Sequence, residues 1–479
     1  MNVRHISIVS AAALLLSCGG GGGDAARSAD AVPPIFPDYT GVTVPCNIAP
    51  LNFKIRGAER LRAEFAFGGE VCLVAEGRKG AIDIPLKKWR ALLSAAAGGE
   101  IEVAVSAWSA SEPDGVRYAP FGIRVSPDPI DERVAYRLIE PGYEGWLQMG
   151  IYQRDLTCFD EDVLVDNSVN STGCVNCHSF RDYSPDEMLF HARGKSGGTV
   201  FVRDGRMEKV DLASTSPRRQ GVYPMWNPRG RYVAFSSNDT AQSFFGGHGQ
   251  PIEVYDQSSD LMIYDTETGR MLTDERFFSE ARWETFPAWS PDGATLYFCS
   301  AEPRSMPLDR KSVHYDLLSV SFDRTTGQLG ERVDTLRNSR LDGGSVSFPR
   351  VSPDGRFLMY TLADYGTFPI WHREADLAMI DLRDGSSVDV SVLNSAEAES
   401  CHAWSSSGRW VVFSGRRDDG RYTRLYIASV SPEGVCGKPF LLPQRNPDHN
   451  AWRMKSYNIP EFVRGEVRLP RGELKALFK

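Results

Sequence analysis

Apolar and polar residues alternate in short runs along most of the chain, and one pattern returns several times after residue 180. Each copy has a run that opens on an aromatic residue or a cysteine, a turn rich in Pro, Asp or Gly, and a second alternating run. Two such runs joined by such a turn predict a β-hairpin. The copies are YPMWNPRGRYVAFSSN (223–238), FPAWSPDGATLYFCSA (286–301), FPRVSPDGRFLMYTLA (348–363), CHAWSSSGRWVVFSGR (401–416) and a shorter YSPDEMLFHARG (183–194).

The spacing of the copies predicts the unit of structure to which they belong. The turn falls at residues 185, 228, 291, 353 and 406, so successive copies lie 43 to 63 residues apart. Roughly forty residues make one four-stranded propeller blade, and longer steps predict insertions. A second hairpin follows each of the last four copies, as in DLMIYDTETGRMLTD (260–274). The pattern predicts an all-β fold with at least five blades.

These repeats also resemble a known family. Turns of the SPDG type followed by YxxDxxTG-type hairpins are similar to the repeats of TolB-like β-propellers, over about 300 residues from 176 to the C-terminus. The resemblance implies six blades. Residues 150–165, paired with C-terminal segments such as SYNIPEFV (456–463), would supply the sixth blade and close the ring. We therefore assign residues 144–479 to a six-bladed TolB-like β-propeller.

The preceding region has a different pattern. Residues 35–143 contain short alternating runs, such as EIEVAVSAW and APFGIRVS, separated by Gly, Pro and Asp turns. This pattern is typical of a small antiparallel sandwich. We assign it to an immunoglobulin-like β-sandwich that supports or docks the propeller, with one short helix at 85–97.

The first residues carry a targeting pattern. An apolar run from Ile6 to Leu16 is too short to span a bilayer as a mature helix, and it leads into LLSC at 15–18. This resembles a bacterial lipoprotein signal, which implies that residues 1–17 are removed and that Cys18 is lipidated. Residues 18–34 would be a flexible tether. Because Gly19 is not the Asp that resembles an inner-membrane retention signal, we expect anchoring in the outer membrane, facing the periplasm.

One stretch has a chemically specific spacing. Cys174 and Cys177 flank two residues, and His178 follows directly. This CxxCH pattern is how a c-type haem is attached, through two thioethers and an axial imidazole. We therefore predict haem c at Cys174 and Cys177 with His178 as the axial iron ligand. The alternatives are a disulfide or a redox dithiol and, least favoured because no second pair of ligands with metal spacing lies elsewhere, half of a metal site.

The repeats suggest where this motif would lie. Counting back six residues from the residue before each turn aligns His178 with Glu284 and Glu399, at the mouth of the central channel. The sequence departs from ordinary cytochromes c, since no comparable helical segment follows Cys177. Met225 and His402 are the first candidates for a sixth iron ligand, followed by His191, His314 and His372.

Composition excludes several other functions. The chain has 54 basic and 62 acidic residues, a formal net charge of −8, and no basic stripe that would indicate nucleic-acid binding. The nucleophile elbow of propeller-associated hydrolases is absent.

Two hypotheses remain. The chain is either an envelope lipoprotein that uses haem in electron transfer or sensing, with a redox partner, or a non-catalytic lipoprotein that binds a peptide or another envelope protein, with Cys174 and Cys177 as a disulfide.

Overall fold

The chain was analysed as a computed structural model, which describes residues 25–140, 148–170, 173–194, 196–215, 221–244 and 252–479. The predicted signal peptide at 1–17, the lipidation site Cys18 and the first part of the tether lie outside these residues. The end of the predicted tether is ordered: Arg27–Ala29 forms a strand parallel to residues 116–118, and Arg27 forms an ion pair with Glu112 at 2.7 Å.

Residues 25–126, the described part of the N-terminal region, contain nine strands and one helix. A seven-stranded sheet has the order β1-β8-β7-β5-β6, with β9 joining β3 to β7, and β2 pairs separately with β4. The helix α1 packs Trp89 against Phe65, with ring centroids 5.9 Å apart. The elements are β1 (Arg27–Ala29), β2 (Ile35–Phe36), β3 (Thr43–Pro45), β4 (Lys54–Ile55), β5 (Arg60–Phe67), β6 (Glu70–Arg78), α1 (Leu86–Ala95), β7 (Glu100–Ser109), β8 (Glu112–Tyr118) and β9 (Phe121–Ser126).

The rest of the described chain forms six four-stranded sheets. Their strands are β10 (Arg133–Ile139), β11 (Gly150–Asp155), β12 (Glu161–Asp166), β13 (Val175–Phe180), β14 (Glu187–Ala192), β15 (Gly198–Arg203), β16 (Arg206–Val210), β17 (Val222–Trp226), β18 (Tyr232–Phe244), β19 (Ile252–Asp265), β20 (Arg270–Leu272), β21 (Trp283–Trp289), β22 (Thr295–Ala301), β23 (Asp316–Asp323), β24 (Gln328–Arg337), β25 (Ser345–Val351), β26 (Phe357–Ala363), β27 (Asp376–Asp381), β28 (Ser387–Val388), β29 (Glu399–Trp404), β30 (Trp410–Gly415), β31 (Arg424–Ser429), β32 (Phe440–Leu441) and β33 (Ser456–Val463). Short helices are α2 (Leu212–Thr215), α3 (Ser339–Asp342), α4 (His449–Trp452) and α5 (Arg471–Ala476).

Five of these sheets are built from consecutive strands, beginning at β13, β17, β21, β25 and β29. The remaining sheet has the order β12-β11-β10-β33, so it combines three strands that precede the repeats with the last strand of the chain. The first strands of the five sheets and β33 contact one another in a closed circle. We call these six strands the inner strands. This arrangement is that of a β-propeller.

The turns of the SPDG type have a clear local cause. In the turn after β21, the Ser290 hydroxyl accepts a hydrogen bond from the Thr295 amide at 2.9 Å and lies 2.5 Å from Asp292 Oδ1. Gly293 has a φ of 70°, a left-handed conformation that glycine adopts without strain. The repeated turn residues therefore set the hairpin register, as the sequence predicts.

The pairing of β10 differs from the predicted division of the chain. Residues 133–139 fall within the region assigned to the sandwich, yet β10 lies between β11 and β33 in a propeller sheet. The N-terminal region packs against the sheet of β29–β32. Trp410 donates a hydrogen bond from Nε1 to the Asp128 carbonyl at 3.3 Å, and the Tyr39 hydroxyl donates to the Leu441 carbonyl at 3.4 Å.

Candidate functional site

Every inner strand contains a β-bulge that interrupts its pairing with the next strand. One residue in each bulge has a left-handed φ between 47° and 52°, which is rare outside glycine. A bulge redirects the side chain that it carries. Five of these six side chains border one void of about 10 Å³ on the channel axis, and we call the six residues the central ring. They are Cys177, Tyr223, Phe286, Phe348, Cys401 and Ile459.

The residue after each member of the central ring is proline in four inner strands and histidine in two, His178 and His402. The Cys-His dipeptide of the predicted haem motif thus occurs twice at one structural position. Its second copy, Cys401-His402, has Ala398 where the first has Cys174. The blade geometry alone therefore accommodates this dipeptide, whether or not a cysteine precedes it.

This equivalence corrects the alignment that was predicted from the turns. His178 corresponds to Pro287 and His402, and not to Glu284 and Glu399. The reason lies in the turn after β13, where the Arg181 amide bonds to the Glu187 carbonyl and Pro185 stands four residues after Arg181. In the turn after β21, the proline directly follows the corresponding Ser290.

A cavity of about 340 Å³ lies beside the first residues of the inner strands, on one side of the central ring. Cys174, Cys177 and Cys401 border it, together with three arginines from three different sheets: Arg137, Arg193 and Arg416. We call it the arginine cavity. Its volume lies within the usual range for small-molecule sites.

The arginine cavity is positively charged. Glu140 is the one acidic residue among its described lining residues. The guanidinium of Arg416 lies 4.0 Å above the ring of Trp371, a cation–π contact that fixes its position. Within the described part of the chain, the buried Nε of Arg137 has no hydrogen-bond partner. The cavity can therefore offer guanidinium donors to an anionic group.

The cysteines at this cavity are thiols in the structure. Burial raises the pKa of Cys174, and the nearby Arg193 and Arg137 oppose that rise. Asn176 donates a hydrogen bond from its side chain to Cys174 Sγ at 3.7 Å, and Cys401 Sγ lies 3.4 Å from Asn458 Oδ1. A disulfide between Cys174 and Cys177 stays a prediction.

His178 is 2% exposed, and neither of its ring nitrogens has a partner among the described residues. Burial, with a smaller effect of Arg137, lowers its pKa to about 3. The ring packs edge-on against Phe180, with centroids 6.0 Å apart. A buried imidazole without partners has the chemistry of a metal ligand.

The position of His178 does not fit a haem held by all three motif residues. Cys174 and Cys177 border the arginine cavity, but His178 borders the small void of about 10 Å³, which has room for about one water molecule. A porphyrin joined to the two thiols in the arginine cavity would leave His178 beyond the central ring. Haem c at this motif stays a prediction.

The two candidate sixth ligands lie away from the arginine cavity. Met225 borders a different cavity, on the other side of the central ring. His402 is buried, with Nε2 2.9 Å from the Met359 carbonyl oxygen, and burial lowers its pKa to about 3. Neither side chain shares a cavity with Cys174. Of the other histidines, His191 pairs with Thr199, His314 lies 3.2 Å from the Gly344 carbonyl, and His372 lies between carboxylates.

A long hairpin extends over the arginine cavity. The strands β18 and β19 are paired through Phe244 and Ile252, well beyond the length of the other strand pairs. Thr240, Gln242 and Val254 from this hairpin border the cavity. The hairpin is held by Glu253, which is 3% exposed and accepts a hydrogen bond from the Tyr365 hydroxyl at 2.9 Å. We call residues 240–244 and 252–256 the cover hairpin.

Arg137 and Arg193 were missed in the sequence. Arg193 ends the second strand of its repeat at the position that Arg416 holds in a later repeat (LFHAR and VFSGR), so the alignment of repeats could have found it. Arg137 was missed because β10 was assigned to the sandwich. Its signal is RVAYRL, which has the alternation of a second blade strand.

Among the described residues, no helix is long and apolar enough to cross a membrane. No group of three or more His, Cys, Asp or Glu side chains in that part of the chain could hold a metal ion.

By its fold, the chain is a β-propeller protein. No family model and no curated protein matches the chain. Solved structures that are similar include an oligogalacturonate lyase in complex with manganese (13% identity, 64% of this chain and 72% of that chain, TM-score 0.35). Others are the periplasmic gluconolactonase PpgL of Pseudomonas aeruginosa (15%, 70% and 100%, TM-score 0.32) and an oligogalacturonate lyase of Vibrio parahaemolyticus (10%, 70% and 88%, TM-score 0.35).

Proposed function

We propose that the chain is a lipid-anchored envelope protein whose six-bladed TolB-like propeller binds the C-terminal carboxylate of a peptide or partner protein in the arginine cavity. One observation carries this proposal: Arg137, Arg193 and Arg416 converge on a cavity that has a single acidic residue in its described lining. Arginine binds a carboxylate through paired hydrogen bonds, which gives both affinity and orientation.

The remaining wall of the cavity suits a peptide. Side-chain amides of Asn176, Gln242 and Asn458 border it and can bond to peptide groups. Aromatic side chains, including Phe368 and Trp371, supply apolar contact area. A wall that combines arginines, side-chain amides and aromatic rings fits an extended segment that ends in a carboxylate.

Calorimetry with paired peptides tests the proposal. A peptide with a free C-terminal carboxylate should bind at least tenfold more tightly than the same peptide with a C-terminal amide. Arg137→Gln and Arg416→Gln should each weaken binding of the free acid by about tenfold or more, the usual effect of losing a charged hydrogen bond. Arg332→Gln is the matched control, because that side chain is 86% exposed and distant from the cavity. Equal binding of acid and amide by the unmodified chain would overturn the proposal.

A second candidate function is that of a c-type haem protein in electron transfer or haem-based sensing, with a redox partner. The observation in its favour is that Cys174 and Cys177 border one cavity. Expression in a host with c-type haem maturation tests it. Haem stain that survives denaturation, and is lost in Cys174→Ala, would support this candidate, and a colourless protein would exclude it.

The envelope location rests on the signal that ends at Cys18, and it is tested separately. Labelled fatty acid should be incorporated into the full chain and not into Cys18→Ser. Fractionation of the membranes should place the labelled protein with the outer membrane. Recovery of the chain in the soluble periplasmic fraction would contradict the anchor and leave the binding proposal unaffected.

A further inference from the structure

A second cavity, of about 150 Å³, lies at the opposite end of the channel from the arginine cavity. It borders the last residues of the inner strands, and the central ring separates it from the arginine cavity. Trp226, Trp289 and Trp404 line it, and the half-buried turn residues Pro228 and Pro291 stand at its rim. We call it the tryptophan cavity.

The walls of the tryptophan cavity are fixed by hydrogen bonds between neighbouring inner strands. Trp289 donates from Nε1 to the Met225 carbonyl at 3.0 Å, and Trp404 donates from Nε1 to the Arg350 carbonyl at 3.1 Å. The corresponding Nε1 of Trp226 is buried and has no partner among the described residues. A preformed aromatic wall reduces the entropy that a ligand loses on binding.

Two opposite charges border this cavity without pairing. Arg350 lies in β25 and Glu461 lies in β33. These two strands are two positions apart in the circle of inner strands. Arg350 donates from Nη1 to the Pro349 carbonyl at 2.9 Å, and Glu461 Oε2 accepts from the Phe180 amide at 2.9 Å. Neither side chain forms an ion pair within the described part of the chain. Both side chains are half-buried, where charges are usually paired, so this separation is unusual.

We propose that the tryptophan cavity binds a small zwitterion of the α-amino acid class, with its carboxylate on Arg350, its ammonium on Glu461 and its side chain against the indole rings. The free guanidinium nitrogens suit a carboxylate, and the free carboxylate oxygen suits an ammonium group. A cavity of about 150 Å³ has room for a molecule with the six heavy atoms of alanine. This inference goes beyond the proposed function, since it concerns a different cavity and a different ligand.

The protonation of Glu461 offers an independent readout. Burial raises the pKa of Glu461 to about 7, and Arg350 opposes the rise. An ammonium group beside this carboxylate would favour its ionised form. Binding of the zwitterion near pH 7 is therefore accompanied by release of protons, which calorimetry in buffers of different ionisation enthalpy measures directly.

The first experiment compares three probes on the full chain. L-alanine carries both charges, propionate lacks the ammonium and ethylamine lacks the carboxylate. L-alanine should bind at least tenfold more tightly than either of the others. Absence of L-alanine binding at 10 mM (about tenfold above the usual upper KM of roughly 1 mM), or equal affinity for L-alanine and propionate, would overturn the proposal.

Variants then assign the two charges. Glu461→Gln should weaken L-alanine binding by about tenfold or more and leave propionate binding unchanged, whereas Arg350→Gln should weaken both. Arg137→Gln, in the arginine cavity, should leave L-alanine binding unchanged, so this result is independent of the peptide-binding proposal. Circular dichroism checks that each variant folds. If a variant does not fold, the comparison of the three probes on the unmodified chain decides the question. Unchanged L-alanine affinity in both folded variants would overturn the assignment.

Discussion

Glu253 on the cover hairpin and His372 in the loop after β26 are joined by a buried contact, with 3.0 Å between Oε1 and Nε2. The other ring nitrogen of His372 lies 3.2 Å from a carboxylate oxygen of Glu374. His372 is fully buried, and Glu253 also accepts a hydrogen bond from Tyr365. These contacts hold the cover hairpin against the loop between β26 and β27, which belong to a different sheet of the propeller.

Breaking this contact should release the cover hairpin. Replacing His372 by Asn leaves the Glu253 carboxylate without its imidazole partner, which should lower the free energy of unfolding by about 3 kcal/mol. Hydrogen exchange at residues 252–256 should increase more than elsewhere. Tyr365→Phe is the milder control, because it removes one hydrogen bond worth about 1 kcal/mol. Uniform exchange across the chain in the His372 variant would show that the contact stabilises the whole fold and not the hairpin.

His178 and His402 occupy one structural position but should respond differently to proline. Four inner strands already have proline there, so the backbone accepts it at both sites. His178→Pro removes two ring nitrogens that lack partners and should stabilise the chain by about 1 kcal/mol. His402→Pro leaves the Met359 carbonyl without its donor and should destabilise by about 1 kcal/mol. Chemical denaturation measures both, and changes of the same sign would contradict the assignment of partners.

Glu284 should make the stability depend on pH. It is 1% exposed, its Oε2 has no partner among the described residues, and burial raises its pKa to about 7. Between about pH 4.5 and 7, the folded state therefore keeps a proton on Glu284 that the unfolded state has already released. The contribution to stability is fully present below about pH 4.5 and is lost as the pH rises through 7.

Glu284→Gln tests that dependence. The variant should be more stable than the unmodified chain at pH 8 by about 1 to 3 kcal/mol, and its advantage should decrease towards pH 5. Melting temperatures in a series of buffers give the measurement. Glu331→Gln, at an exposed position, should leave the pH profile unchanged. An unchanged profile in the Glu284 variant would show that this carboxyl group is ionised in the folded protein.

The central ring should contribute strongly to stability. Phe286 stacks at an angle against Phe348, with centroids 4.1 Å apart, and lies 4.5 Å from the ring of Tyr223. Phe286→Ala should lower the free energy of unfolding by about 3 to 5 kcal/mol, since it leaves a void on the channel axis. Phe244→Ala, at a side chain that is 58% exposed, should cost far less. Similar costs for the two variants in urea denaturation would contradict this role.

The repeats predicted the propeller because their information is local. Alternation in segments such as FPAWSPDGATLYFCSA, and the turn chemistry of Ser290 to Gly293, specify each hairpin without reference to the rest of the chain. The segments 150–165 and 456–463 were also correctly assigned to one sheet. The strand β10 between them was missed, because its alternation predicts a strand but does not indicate a partner more than three hundred residues away.

The site was less predictable. The spacing of Cys174, Cys177 and His178 is visible in the sequence, but the bulge that places Cys177, and not His178, at the arginine cavity depends on φ at one residue. Arg137, Arg193 and Arg416 come from three sheets and meet only in the folded chain. The charges of Arg350 and Glu461 likewise converge from β25 and β33, and neither stands in a recognisable motif.

The sheet that joins β33 to β10 has a consequence for synthesis and for truncation. As the chain leaves the ribosome, the five sheets of consecutive strands, β13 to β32, can form in order. The strands β10, β11 and β12 are made earlier, but their sheet has no innermost strand until β33 is made. Until then the unpaired edge of β10 is open to other chains, which favours aggregation or exchange between molecules. Removal of the last two dozen residues would therefore open the circle and would not simply trim a tail.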